Sequence, residues 1–113
     1  MDERIEKWFY DIKLAIEEIE SFFFESGYDF SEYKRNTMKK RAVERNLEII
    51  GEALNRIVKK ESIYLEKITD CKSIIGLRNH VIHIYDNVSD ENIWSILINH
   101  LPKLKEEVDS QLS

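Results

Sequence analysis

Apolar residues recur at steps of three and four along most of this chain, which is the spacing of one buried helix face. Only three glycines and one proline interrupt the 113 residues. The first segment shows the pattern most fully, with Ile5, Trp8, Phe9, Ile12, Ile16, Ile19, Phe22 and Phe23. The alternating pattern of a strand is not seen anywhere in the sequence. The sequence therefore predicts an all-α protein.

The periodic segments give four long helices and one short one. Connections of a few residues make neighbouring helices antiparallel, so we expect an antiparallel helical bundle. Gly27 is suited to end the first helix in a left-handed conformation, and Pro102 should kink or break the last one. The expected helices cover about residues 4–24, 31–60, 62–68 (the short one), 71–84 and 90–112.

Side chains that can accept a hydrogen bond from a helix N-terminus precede three of these segments. Asp29 or Ser31 is expected to cap the second helix, Thr69 or Asp70 the fourth, and Ser89 the last. Gly51 and Gly76 lie inside helices, where glycine costs roughly 1 kcal/mol relative to alanine. We interpret both as marks of a close helix–helix crossing, although either could simply be tolerated.

The length and composition predict one domain over residues 1–113, with a single hydrophobic core. No apolar run is long enough to span a membrane, and no basic segment leads into an apolar block at the N-terminus. The only cysteine, Cys71, cannot form an internal disulfide. Together these features favour a cytoplasmic protein with no membrane association, and nothing in the sequence calls for a cofactor.

The charge is distributed unevenly. The net charge is −5, which excludes a general nucleic-acid coat protein. Yet residues 34–45 contain six basic side chains against the single acidic Glu44. Such a patch can receive a phosphate-bearing partner at one place, or it can be an ordinary solvated helix face.

Residues 78–85 place an unusual set of polar side chains in an otherwise apolar helical run. On an ideal helix, Ile74, Leu77, Val81 and Ile84 form one apolar stripe, while Ile75 and Ile82 form a second flank edged by Asn79 and His83. The first stripe is needed for the chain's own bundle. The second flank is a candidate surface for another chain, and a homodimer built there would bring two copies of the polar cluster together.

The residue types in this cluster suit acid–base chemistry on a phosphate. His83 can transfer a proton near neutral pH, Arg78 can hold a phosphate, and Asn79 can orient either group. Arg78 and His83 lie about 140° apart on an ideal helix, so a long side chain, an unwound helix end or a dimer must bring them together.

Other interpretations of the histidines remain open. His80 and His100 fit structural histidines, and His80, His83 and Asp86 form at best an incomplete metal site, so we predict no metal. Tyr85 could be a tyrosine at the edge of the core.

The pattern Arg78-x-x-x-x-His83-x-Tyr85 resembles the signature of HEPN domains, specifically the HepT-like toxins of MntA–HepT toxin–antitoxin systems. The stretches 41–53 and 74–79, together with Trp94 and Leu101-Pro102, are similar to that branch in the same order. The connector 63–67 lacks the prolines of the branch. The similarity extends over nearly the whole chain.

This resemblance implies a homodimeric helical bundle with metal-independent endoribonuclease activity on RNA, tRNA included. Arg78 and His83 would be catalytic, Asn79 would support them, and Tyr85 would be AMPylated by a cognate MNT-type nucleotidyltransferase antitoxin. The basic residues Lys39, Lys40, Arg41 and Arg45 would form the surface by which RNA approaches. The alternatives are a non-catalytic partner of a nucleotidyltransferase that binds nucleotide or RNA, and a purely structural helical dimer.

Overall fold

A computed structural model describes the backbone of residues 1–83 and 89–113 and the side chains of residues 1–77 and 89–113. Within these ranges the chain is all-helical, as predicted, and contains no strand. A π-helical turn, Ile96–His100, joins the last two helices. The α-helices are α1 (Glu3–Ser21), α2 (Phe30–Arg35), α3 (Thr37–Lys60), α4 (Tyr64–Lys67), α5 (Cys71–His83), α6 (Asp90–Ser95) and α7 (Leu101–Leu112).

Helix α3 is the centre of the bundle. It packs against α1 on one side and against α5 on the other, while α7 packs against α1. Most residues of the predicted stripes are buried where the structure describes them, while Trp8, Phe22 and Trp94 are half-buried and pack against the core. On α3 the buried residues are Val43, Leu47, Ile50, Leu54 and Ile57, and on the last two helices Ile93, Leu97, Leu101, Leu104 and Val108.

Most of the predicted helix boundaries are confirmed, but α1 ends at Ser21 with Phe22 as its C-cap, before the expected residue 24, so Gly27 does not cap it directly. Gly27 has a φ of +70° after the turn that follows α1. The Asp29 carboxylate accepts a hydrogen bond from the Glu32 N–H, and the Ser89 hydroxyl accepts one from the Asn92 N–H. These contacts satisfy backbone donors that a helix N-terminus leaves free.

The expected second helix, residues 31–60, is in fact two helices, because the helical conformation is interrupted at Asn36. The Asn36 backbone leaves helical geometry, and its side-chain oxygen accepts a hydrogen bond from the Lys39 N–H. Its amide also donates to Glu32, so the side chain satisfies groups on both helices. The break lets α2 turn inward and bury Tyr33 in the core.

The last helix is interrupted near Pro102, as predicted. Proline lacks an N–H, so the carbonyl four residues earlier cannot receive its usual helical hydrogen bond. Just before it, the Leu101 N–H donates to Ile96, five residues back, which is the geometry of a π turn. The chain therefore continues in helical form through the turn into α7.

No helix in the described part of the chain is long and apolar enough to cross a membrane.

Candidate functional site

The polar motif lies at the C-terminal end of α5. The backbone of Arg78, Asn79 and His83 is helical, so all three belong to one helix, as expected. The side chains of residues 78–83, and all of residues 84–88 with Tyr85 and Asp86, lie outside the described residues. The predicted roles of Arg78, Asn79, His83 and Tyr85 therefore remain predictions, as does the metal alternative at His80.

The described half of α5 is anchored firmly in the bundle. Cys71, Ile74 and Leu77 are buried at three-residue steps, which confirms the predicted core stripe for Ile74 and Leu77. Ile75, on the other flank, is half-buried and packs against the same core. Burial raises the pKa of the Cys71 thiol to about 11, and the nearby Glu107 carboxylate adds to this.

The start of α5 is tied to α7 by a contact that links residues 38 positions apart. The Glu107 carboxylate accepts hydrogen bonds from the Thr69 N–H at 3.1 Å and the Thr69 hydroxyl at 2.9 Å. Asp70 follows with a φ of +56°, and its carbonyl accepts a hydrogen bond from the Ile74 N–H. These contacts fix the position from which α5 carries Arg78. No local pattern predicts the role of Glu107, because its partner Thr69 is distant along the chain.

C-terminal to the motif in sequence, basic residues form ion pairs with the start of α6. Lys40 forms an ion pair with Asp90 at 3.0 Å, and Lys34 lies 3.8 Å from Glu91. Asp90 and Glu91 follow directly after Ser89, so these pairs anchor the chain just beyond the motif. Two members of the basic patch therefore have a structural contact as well as any role toward a ligand.

Lys39 is the most enclosed member of the basic patch. Its side chain is 11% exposed, forms an ion pair with Glu32 at 2.8 Å and lies 4.9 Å from the centre of the Phe23 ring. A hydrogen bond from Asn36 and the pairing with Lys39 lower the pKa of the Glu32 carboxyl. Lys39 thus joins α3 to α2 and to the end of α1.

Arg41 and Arg45 are the solvent-facing members of the predicted RNA-approach set. Arg45 is 3.1 Å from Glu48, an exposed pairing of the kind that contributes little to stability. Between them on α3, burial raises the pKa of Glu44, although Arg41 and Lys40 act in the opposite direction. Of the four predicted residues, Arg41 and Arg45 face solvent, whereas Lys39 and Lys40 are partly enclosed and form ion pairs with residues of α2 and α6.

A shallow groove of about 220 Å³ lies along α5, and its lining includes Leu77, the residue directly before Arg78. Ile74, Leu77 and Ile96 form its apolar lining. Asp70 and His100 line it too, and the His100 Nδ1 is 3.5 Å from an Asp70 carboxylate oxygen. His100 is exposed and lies on the π turn, so the structure places it outside the core.

Among the residues whose side chains are described, no cluster of three or more His, Cys, Asp and Glu residues has the geometry of a metal site.

The family model for ribonuclease HepT-like proteins matches residues 12–110, which include the whole motif. A Methanocaldococcus jannaschii protein named "Putative RNase MJ1380" is 34% identical over 107 residues, covering 93% of this chain and 94% of that protein. "Putative RNase TTE0752" from Caldanaerobacter subterraneus subsp. tengcongensis is 33% identical over 82 residues, covering 73% and 72%. No solved structure gives a significant match. The chain belongs to the ribonuclease HepT-like family.

Proposed function

We propose that this protein is a metal-independent endoribonuclease that acts as the toxin of a toxin–antitoxin pair. The match to the ribonuclease HepT-like family over residues 12–110 carries this proposal, and the names of the relatives agree with it. The helical backbone under Arg78, Asn79 and His83, anchored at the start of α5, supports it further.

The chemistry can proceed without a metal because the nucleophile belongs to the substrate. His83 takes the proton of a ribose 2′-hydroxyl, whose oxygen attacks the adjacent phosphorus. The bond from phosphorus to the 5′-oxygen breaks, and that oxygen takes up the proton that His83 received, so the products are a 2′,3′-cyclic phosphate and a 5′-hydroxyl. Arg78 binds the phosphate and stabilises its developing charge, and Asn79 orients these groups.

A homodimer solves the geometric problem of the motif. Arg78 and His83 are about 140° apart on one helix, so they do not converge on one phosphate from the same helix face. Two copies of α5 facing each other would place the arginine of one beside the histidine of the other. We therefore include the homodimer in the proposal.

RNA is the proposed substrate, with tRNA as the first class to test. Arg41 and Arg45 face solvent on α3, which packs directly against α5, so they are the best placed to attract phosphates. Lys40 and Lys39 would contribute less, because the carboxylates with which they are paired offset their positive charge.

Cleavage of total tRNA in EDTA tests the catalytic proposal. We expect the wild type to cut and His83→Ala to lose activity by at least 100-fold, since general acid–base catalysis contributes that much or more. His100→Ala is the matched control, because this exposed histidine lies on the π turn and should leave cleavage unchanged.

The state of Tyr85 must be measured alongside by intact mass, since an AMP adduct would silence an active enzyme. If unmodified protein does not cleave, a non-catalytic partner that binds RNA or nucleotide replaces the ribonuclease as the best interpretation.

Regulation by AMPylation of Tyr85 is the second part of the proposal. An MNT-type nucleotidyltransferase would transfer AMP from ATP to the Tyr85 hydroxyl, with pyrophosphate leaving. The added phosphate brings bulk and negative charge near Arg78, where it competes with RNA. Tyr85→Phe should stay active and gain no mass with the transferase and ATP. If the transferase silences this variant by covalent modification at another residue, the role of Tyr85 is wrong.

A further inference from the structure

Helix α1 carries a second line of apolar side chains on the side turned away from the core. Tyr10 is 47% exposed and Leu14 is 62% exposed, and their spacing of four residues makes them neighbours on the helix surface. Phe24, just beyond the end of α1, is 79% exposed. Single exposed apolar residues are ordinary, but a line of large ones marks a candidate contact surface. We refer to Tyr10, Leu14, Glu17 and Phe24 as the α1 outer face.

An open hollow of about 480 Å³ adjoins this face near the end of α1. Phe24 and Tyr28 form its aromatic side, and Tyr28 is held in place by stacking on Phe23, with ring centres 4.5 Å apart. Glu17, Glu20 and Lys105 complete the lining, and Lys105 is paired with Glu20 at 2.9 Å, so the lining has one more carboxylate than ammonium group. The hollow is thus a preformed recess that could receive an apolar side chain beside a cation.

The charges around the α1 outer face are predominantly negative. Glu3, Glu6, Glu17 and Glu25 are all exposed along this side of the chain. The nearby lysines are largely neutralised by acidic partners, in the pairs Lys7–Asp11, Lys13–Asp109 and Lys105–Glu20. The carboxylates that border the apolar line are therefore in excess.

The apolar line and the excess of carboxylates together indicate which kind of partner can bind the α1 outer face. RNA and anionic membranes would be repelled by the carboxylates. A second copy of the chain packed symmetrically would place its own glutamates against these ones, which is unfavourable. A segment with apolar side chains on one stripe and basic ones beside it would satisfy both features.

We propose that the α1 outer face docks a basic amphipathic helix of a partner protein. From Tyr10 to the end of α1 at Ser21 the face extends over about 16 Å at the rise of an α-helix, with Phe24 just beyond, so about three to four turns of a partner helix would cover it. The surface is separate from the motif on α5, and the inference stands whether or not the protein cleaves RNA.

Binding of a designed peptide tests this surface. The probe is a fluorescent 16-residue helical peptide with a leucine stripe and lysines beside it, and its twin carries glutamates in place of the lysines. Fluorescence anisotropy should show binding of the basic peptide only, with affinity falling as salt is raised.

Three variants then separate specific docking from general attraction to an acidic protein. Leu14→Glu and Phe24→Glu should each weaken binding at least tenfold, although they add negative charge that would strengthen a purely electrostatic contact. Met38→Glu is the control, since Met38 is 83% exposed on α3 and undergoes the same change in charge. It should bind like the wild type.

Equal affinity for all four proteins, or equal binding of the acidic twin, would overturn the proposal. So would sedimentation showing that Leu14→Glu or Phe24→Glu dissociates a homodimer, because the occupant would then be a second copy.

Discussion

Asn46 is the one polar residue buried with the described apolar core, and it joins two helices. Its amide donates hydrogen bonds to the Glu18 carboxylate on α1, at 3.2 Å, and to the Ala42 carbonyl within α3, at 3.0 Å. A hydrogen bond to a charged group is worth more than one between neutral groups, and the Asn46 end of this one is buried. Asn46 therefore fixes how α1 sits on α3 as well as adding stability.

Replacing Asn46 by alanine should reduce the free energy of unfolding by about 1–3 kcal/mol, because both contacts and part of the packing are lost. Urea unfolding followed by circular dichroism measures this. Asn99→Ala is a suitable control, since Asn99 is exposed and its amide bonds only to the Ser95 hydroxyl. Equal stability of the two variants would show that the buried amide is not a significant constraint.

At the scale of helices, the sequence predicts the features that depend on neighbouring residues alone, such as apolar stripes, turns and caps. The stripes on α1, α3 and α7 follow from apolar spacing, and the Gly27 turn and the Ser89 cap follow from the properties of single residues. The break at Asn36 was missed because it depends on the Glu32 and Lys39 contacts and on the burial of Tyr33. Apolar periodicity along the sequence reflects neither these contacts nor the burial of Tyr33.

The candidate site shows the same division. That Arg78, Asn79 and His83 share a helix could be predicted from spacing, whereas the supports of that helix could not. Glu107 reaches Thr69 across 38 positions and Lys40 reaches Asp90 across 50. Such contacts between residues far apart in sequence form only when the helices pack together, so the sequence alone does not predict them.

Gly51 tests how closely α3 packs against its neighbouring helices. It is buried on α3, a helix that contacts both α1 and α5, while Gly76 on α5 is half-buried. If Gly51 allows a close crossing, the added methyl group of Gly51→Ala must push the helices apart, at a cost of about 1–3 kcal/mol. This would outweigh the roughly 1 kcal/mol by which alanine is the better helix former.

The matched reference for Gly51→Ala is the pair Lys59→Gly and Lys59→Ala, which measures helix propensity at an exposed position of the same helix. Thermal unfolding of all three variants and the wild type decides the point. A Gly51→Ala protein as stable as the wild type, or more stable, would mean that the glycine is merely tolerated.

For the whole molecule, buried tyrosine hydroxyls and a buried cysteine thiol determine how the stability changes at alkaline pH. Burial raises the pKa of Tyr33, with Glu44 adding to it, and burial also raises the pKa of Tyr64. Cys71 behaves likewise, with a pKa of about 11 against an ordinary 9.0. In each case the folded protein holds a proton that the unfolded chain releases at lower pH. The resulting stabilisation is complete below the unfolded pKa values, near pH 8.5, and is lost as pH rises toward and beyond 11.

The free energy of unfolding should therefore be nearly constant from pH 7 to 8.5 as far as these groups are concerned, and then fall. Cys71 alone would account for about 1–3 kcal/mol, at 1.36 kcal/mol for each unit of pKa difference. Urea midpoints at fixed protein concentration between pH 7 and 11 measure the slope. Tyr33→Phe should flatten it, because the variant has no hydroxyl to ionise at that buried position, while Tyr10→Phe makes the same change at an exposed one and should not. If both variants keep the wild-type slope, Tyr33 does not link folding to pH, and the remaining loss must come from Tyr64, Cys71 or groups elsewhere in the chain.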